Sequence, residues 1–499
     1  MLVSGGAKAT VLGFLLVAVC CLCVGERLEA AGSGSKSKFE STGYRAKTNP
    51  VHRCFCELSG EVDDCNCKVE SVSEFNNHQI YPRVKSLVSK DYFRFFKVNL
   101  NKACPFWPDD GQCAIRACAV CPCTDEEVPC GLKDEEAKGE NKYSEEVNKD
   151  AQDEKCETRS QKEIQLSKLD TTISQEDAAA FETWREHDDA QVNFCQVDDE
   201  QSNRMAHVDL LLNPERYTGY KGLSPRRIWH AIYNENCFKP DPNTTGYQSL
   251  LTNKNVNKGS LYLQGLCLEK RVFYRLVSGL HSSINIHLCA DYLLSDDPFG
   301  GETWGPNIEE FKRRFDPVTS DGEGPVRLKN LYFTYLVVLR AIAKAAPILE
   351  KEAFYTGNNE SDKDVKKGIV ELLGVVKSFN NHFNESLMFQ GNPEEASQLK
   401  EEFRSHFWNI SRIMDCVGCD KCKLWGKLQI QGLGTALKIL FTSEKHTLRL
   451  SRQEVVPLLV GFSKLSNSIA QVENFQQWIA KDSVDPSTVH KKPKGSPFV

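Results

Sequence analysis

The chain has 499 residues, 40% of them hydrophobic and 26% charged, with a formal net charge of −6. That length and apolar share support a large globular core, with roughly two or three domains as the prior for the length. The acidic balance, without any basic stripe, argues against a nucleic-acid partner.

In chain order, Lys8 precedes an apolar run over 11–19, and small residues follow to Gly25. The run is shorter than the roughly 20 residues that span a bilayer, so 1–25 reads as a cleaved signal peptide. The route is then secretory, where disulfides form and persist. Sequons at Asn243, Asn359, Asn384 and Asn409 agree with it. The end, Ser496-Pro-Phe-Val499, carries no Lys-Asp-Glu-Leu address. Residues 26–50 are polar and rich in Gly, Ser and Lys, the composition of a disordered leader. The next expected unit is 51–480, with a polar tail over 481–499.

Cys54-Phe-Cys56 and Cys65-Asn-Cys67 flank a polar turn. They suggest a hairpin closed by nested disulfides, Cys54 to Cys67 and Cys56 to Cys65; a zinc knuckle is the rival. The aromatic stretch 91–98 is expected to pack on a core. Then come Cys104, Cys113, Cys118, Cys121, Cys123 and Cys130, interspersed with Pro105, Pro108, Pro122 and Pro129, so this stretch reads as loop. From 125 to 163 the chain is acidic, with Cys156 near the end; together 104–163 reads as a mobile, cysteine-rich loop. Cys113, Cys118 and Cys121 match a plant-type iron–sulfur spacing, but a disulfide that swings between partners suits an oxidising compartment better.

From 174 to 478 the pattern is mainly helical, with helices expected over 271–294, 329–349, 395–414, 434–441 and 454–479. Arg340 and Lys344 in the apolar run 331–349 argue against a membrane span. Stretches 209–214 and 217–220 read as turns. Cys237 and Cys267 are expected to staple a polar loop around Asn243. No strand alternation is long enough for a sheet-based fold, so the expected class is mainly α.

The densest chemistry lies in Cys416-Val-Gly-Cys-Asp-Lys-Cys422. At about 3.6 residues per turn, three cysteines at intervals of three share one broad helical face. A Cys-x-x-Cys pair at a helix N-terminus is a redox arrangement, because the dipole favours the thiolate. Zinc, which needs a fourth ligand, and an inert staple remain as alternatives. A thiol oxidase that uses oxygen needs a flavin. Gly432-Leu-Gly434-Thr-Ala-Leu437 lacks the third glycine and the preceding strand of a dinucleotide turn, so a flavin here would be held by helices.

Three stretches resemble the endoplasmic reticulum oxidoreductin family: 416–429, Leu211-Leu-Asn-Pro-Glu-Arg-Tyr-Thr-Gly-Tyr220 and Ser278-Gly-Leu-His281. The resemblance implies a single helical domain around a core bundle that cradles FAD. It implies an inner redox pair, Cys419 and Cys422, and an outer shuttle pair, Cys113 and Cys118, with Cys104 bridged to Cys416. Arg216, Thr218, Trp229, Ser278, His281, Arg314 and Arg327 are the implied FAD contacts. Guanidinium groups suit a diphosphate and indole suits an aromatic ring. Implied partners are protein disulfide isomerase, related thioredoxin-fold oxidoreductases and molecular oxygen. The implied location is the endoplasmic reticulum lumen, peripheral to its membrane. Pairing of Cys113 with Cys156 and of Cys118 with Cys123 would switch the shuttle off. Cys121, Cys130 and Cys289 depart from the family pattern; Cys121 and Cys130 read either as a bridge that shortens the loop or as competitors in the switch, and Cys289, like Cys195, reads as a buried free thiol.

Overall fold

In this computed structural model the described residues are 69–102, 104, 119–133, 205–215, 228, 229, 232, 268–297, 300–320, 322–379, 383–390, 392–442 and 448–484. Cys54, Cys56, Cys65, Cys67, Cys113, Cys118, Cys156, Cys195, Cys237, Cys267, Arg216, Thr218 and Asn243 lie outside them. All described residues belong to one unit, Thr48–Val499.

The chain enters through helix α1 (Val69–Phe75), a π turn (Asn76–Ile80), α2 (Tyr81–Val88) and the single turn α3 (Asp91–Arg94). Strand β1 (Phe95–Val98) follows, then α4 (Cys130–Lys133) and β2 (Ala206–Asp209). Next are α5 (Leu268–Ala290), the hairpin β3 (Tyr292–Asp297) and β4 (Gly301–Gly305), and α6 (Ile308–Phe315). The long helices α7 (Glu323–Leu349), α8 (Asn359–Ser378), α9 (Pro393–Ile413), α10 (Asp420–Phe441) and α11 (Arg452–Val484) complete the order.

The helices begin where local chemistry satisfies their free N–H groups. Asn307 accepts from Glu310 N at 2.9 Å, Asn358 from Glu360 N at 3.0 Å, and Asn392 from Glu394 N at 3.2 Å ahead of Pro393. Four helices, α5, α7, α10 and α11, pack on one another as the core. Most side chains of α10 are buried, and Leu331–Leu339 of α7 is buried without a break. A helix hydrophobic all round belongs inside. Two helices, Glu323–Leu349 and Arg452–Lys481, are long and apolar enough to cross a membrane, but 72% and 78% of their apolar windows are buried within the fold.

Two glycines let these helices touch backbone to backbone. A Cβ on Gly279 of α5 would meet Asn330 O of α7 at 2.2 Å, and one on Gly432 of α10 would meet Pro457 O of α11 at 2.2 Å. Gly432 is therefore a packing residue inside a helix, and the incomplete glycine motif forms no nucleotide-binding turn.

The mainly α expectation holds; several helix ends differ in extent, two of them for tertiary reasons. The helix expected over 271–294 stops at Ala290, because Tyr292–Asp297 pairs with Gly301–Gly305 across a turn with Gly301 at φ +80°. The helix expected from 434 begins at Asp420, because tight packing offsets the low helix propensity of its glycines. The aromatic stretch docks as expected. Tyr92, Phe93, Phe95 and Phe96 are buried, and Arg452 of α11 donates to Tyr92 O at 2.6 Å. Strands β1 and β2 form an antiparallel pair, Phe95 opposite Asp209.

Candidate active site

The Cys-x-x-Cys-x-x-Cys segment spans a junction of elements. Cys416 ends a 3-10 turn (Met414–Cys416), Cys419 is the N-cap of α10, and Cys422 lies in its first turn. The three cysteines therefore do not share one helical face, because the chain changes direction between Cys416 and Cys419. Cys416 is joined to Cys104 (Cα–Cα 4.4 Å) and Cys419 to Cys422 (Cα–Cα 5.1 Å). The thiolates a zinc ion would need are thus committed to disulfides. Cys419 Sγ accepts from Cys422 N at 3.2 Å. On reduction that backbone N–H and the helix dipole favour a thiolate at Cys419.

Buried polar contacts fix the foot of α10. Asp415 is 3% exposed and pairs with Lys427 at 2.6 Å and Arg412 at 3.5 Å, which ties the 3-10 turn to α9 and α10. Lys423 donates to Leu100 O at 3.1 Å, holding the segment that runs from β1 towards Cys104. Trp425 Nε1 donates to Asn213 O at 2.8 Å, and Gln429 Nε2 to Glu215 Oε1 at 2.8 Å. The turn Asp209–Glu215 is thereby laid along the redox helix, ending just before Arg216. The contacts of Lys423, Trp425 and Gln429 join residues more than 200 positions apart, and periodicity carries no trace of them. The one available signal was that Asn213 and Glu215 sit within the motif that contains Arg216.

The five described residues of the expected cofactor set lie on or against α5, α6 and α7. Trp229 stacks on His281 with ring centroids 3.5 Å apart and planes at 18°. Ser278, one turn before His281 on α5, is fully buried and accepts from Asn330 at 3.3 Å. Arg314 donates to Glu310 at 2.7 Å, and Arg327 donates to Arg314 O at 2.9 Å. Burial, then the positive charges of Arg327 and Arg314, push the His281 imidazole well below the usual histidine range. Ser282 Oγ, 1% exposed on the same face of α5, has no hydrogen-bond partner among the described residues. Two guanidiniums, a neutral imidazole, hydroxyls and an indole fit the diphosphate and aromatic rings of a dinucleotide.

The outer cysteines differ. The segment 119–133 leans on β2, with Cys123 N donating to His207 O at 2.8 Å. Cys123 carries a free thiol, so the Cys118–Cys123 pairing is not formed in this structure, and Cys130 is also free, so no Cys121–Cys130 bridge exists. Burial, with help from Asp209 and Glu127, pushes the Cys123 thiol up to about 11. Cys289 is a buried free thiol pushed up to about 12 by burial. Among the sequons, Asn359 and Asn384 are exposed, whereas Asn409 is 2% exposed inside α9, where the fold leaves no room for a glycan.

The family described as Endoplasmic Reticulum Oxidoreductin 1 (ERO1) matches residues 79–472. ERO1-like protein alpha of Bos taurus is 49% identical over 441 residues, covering 85% of this chain and 92% of that protein. The Ero1-like protein of Drosophila melanogaster is 49% identical over 471 residues, covering 87% and 93%. The solved structure of Ero1p, described as a source of disulfide bonds for oxidative protein folding in the cell, superposes with a TM-score of 0.55. It is 26% identical and covers 83% of this chain and 99% of that one. Helical fold, paired sulfurs and these likenesses define an oxidoreductase acting on thiol and disulfide groups. The chain belongs to the endoplasmic reticulum oxidoreductin (ERO1) family.

Proposed function

We propose that this chain is an FAD-dependent thiol oxidase of the endoplasmic reticulum lumen, lying peripherally on the membrane. It reoxidises protein disulfide isomerase and related thioredoxin-fold oxidoreductases. A client thiolate attacks the Cys113–Cys118 disulfide; a second client thiolate resolves the mixed disulfide, leaving the client oxidised and Cys113 and Cys118 as thiols. Those thiols reduce Cys419–Cys422 by the same two-step exchange. FAD, when bound, would supply the redox chemistry that carries the inner dithiol's electron pair to oxygen as hydrogen peroxide. Trp229, Ser278, His281, Arg314 and Arg327, with Arg216 and Thr218, would hold it, the guanidiniums suiting its diphosphate. Cys104–Cys416 clamps the loop base against the inner pair. Pairing of Cys113 with Cys156 and of Cys118 with Cys123 holds the enzyme off until a client reduces them.

The observation that carries this reading is the Cys419–Cys422 disulfide at the N-terminus of a core helix, in a chain of this family. The test is oxygen uptake and peroxide release with reduced protein disulfide isomerase, alongside the visible spectrum. Wild type should show flavin absorbance and one peroxide per disulfide made. Cys419→Ala should reduce turnover at least about 1,000-fold, as loss of a nucleophile does, with the helical signal retained. Cys113→Ala should abolish turnover with the protein client but leave it with a small dithiol. A colourless protein, or full turnover by Cys419→Ala, would sink the proposal.

A further inference from the structure

We infer that Glu215 is a positioning residue. Its carboxylate keeps the segment leading into Arg216 and Thr218 in register with the helix that carries the Cys419–Cys422 pair. The inference rests on the reading of Arg216 and Thr218 as FAD contacts.

The Glu215 side chain is 10% exposed and lies between two core helices. From α10, Gln429 Nε2 reaches Oε1 at 2.8 Å; from α11, Lys464 Nζ lies 2.8 Å from Oε2. Gln429 Nε2 also donates to Trp425 O at 3.3 Å, and Trp425 sits one turn beyond Cys422. The ammonium of Lys464 stands 4.0 Å above the Trp425 ring. The carboxylate, the ammonium and the indole therefore form one assembly with the Trp425–Asn213 bond. That assembly reaches α5 as well. Lys464 O meets His287 Nε2 at 3.0 Å and accepts from Ser468 Oγ at 2.9 Å, and Ser468 Oγ lies 2.6 Å from Ser283 Oγ. Helix α5 also carries Ser278 and His281. One side chain thus ties together the start of the Arg216 segment, the redox helix and, through Lys464, the helix bearing two further cofactor positions.

Why this is a register device and not simple packing follows from its cost. A carboxylate and an ammonium are taken out of water here, and an ion pair in such a place gains little over apolar residues of the same volume. What the pair adds is direction. The two carboxylate oxygens face different helices, so sliding the 209–215 turn by one residue breaks both contacts and leaves Lys464 without its counter-ion. Burial alone would raise the Glu215 carboxyl, but Lys464, His287 and Gln429 together outweigh it and hold the group below the usual carboxylate range, so it stays charged at neutral pH.

The test uses the full chain with Glu215→Ala and Glu215→Gln. Glu385→Ala, which breaks the Arg340–Glu385 pair elsewhere on α7, is the control for losing an ion pair. FAD is removed and added back, its Kd is read from flavin fluorescence quenching, and the Tm of the FAD-free proteins is measured. Glu215→Ala should weaken FAD binding at least about tenfold, or roughly 1.4 kcal/mol. Glu215→Gln, which keeps an acceptor for Gln429 but loses the charge, should weaken it less. Glu385→Ala should stay within about twofold of wild type while its FAD-free Tm falls comparably. If Glu215→Ala does not fold, Glu215→Gln carries the test with an expected loss of about threefold. Wild type binding FAD with both Glu215 variants unchanged overturns this inference alone. So does Glu385→Ala losing FAD as strongly. A wild type that binds no FAD overturns the reading beneath and the inference with it.

Discussion

The sulfurs at the head of α10 and those along 119–133 sit in opposite surroundings. Cys419 and Cys422 are paired at the N-terminus of a helix whose remaining length is core, with Cys104–Cys416, the Asp415 ion pairs and Lys423 closing round them. Cys121 and Cys130 are exposed, and Cys123, half-buried beside Asp209 and Glu127, holds its proton. The same atom type is thus half of a disulfide at a helix N-terminus in one place and a poor nucleophile in another. Helix dipole and backbone N–H favour the anion at the first; burial and neighbouring carboxylates disfavour it at the second.

Two sets of substitutions and one pH profile sharpen that contrast. The largest effect is expected from removing the clamp, Cys104→Ala with Cys416→Ala. The disulfide closes a separation of 312 residues, and its loss should cost roughly 5 kcal/mol, read as a shift of the urea midpoint. A loss below about 1 kcal/mol would mean the inner region is held by its other contacts. Next is Asp415→Asn, which leaves Lys427 and Arg412 buried without this carboxylate. About 3 kcal/mol of stability should go, with faster amide exchange at the first turn of α10 but not along β2. Equal exchange in both places would erase the distinction between the regions. The smallest effect concerns the outer thiol. With its proton held up to about 11, Cys123 should be alkylated slowly at pH 8, and its rate should rise about tenfold per pH unit until near 11. In urea its profile should level off near the ordinary thiol value of about 8.5. A folded-state profile already flat at pH 9 would show that its surroundings do not hold the proton.

What the sequence showed of these segments is local: Cys419, Cys422 and Trp425 fall within two turns of one another, and Ser278 and His281 within one turn of α5, whereas the face expected to include Cys416 is broken by the 3-10 turn that ends there. Sequence patterns report that range well. The same local rules misjudged two helix ends. At Ala290 a non-local strand pairing overrode a helical pattern, and at Gly432 close packing on Pro457 made a poor helix former tolerable.

By itself the sequence determined that the chain is rich in cysteine and largely helical, and it identified the segment where Cys419 and Cys422 pair. Periodicity, composition and motif are properties of neighbouring residues. Only the tertiary structure decided which sulfur joins which element, that Asn409 is buried, and that Trp425, Gln429 and Lys464 converge on the 213–215 turn. Those outcomes depend on contacts between residues far apart in the chain. Such contacts form only when the four core helices close on one another and water leaves the space between them.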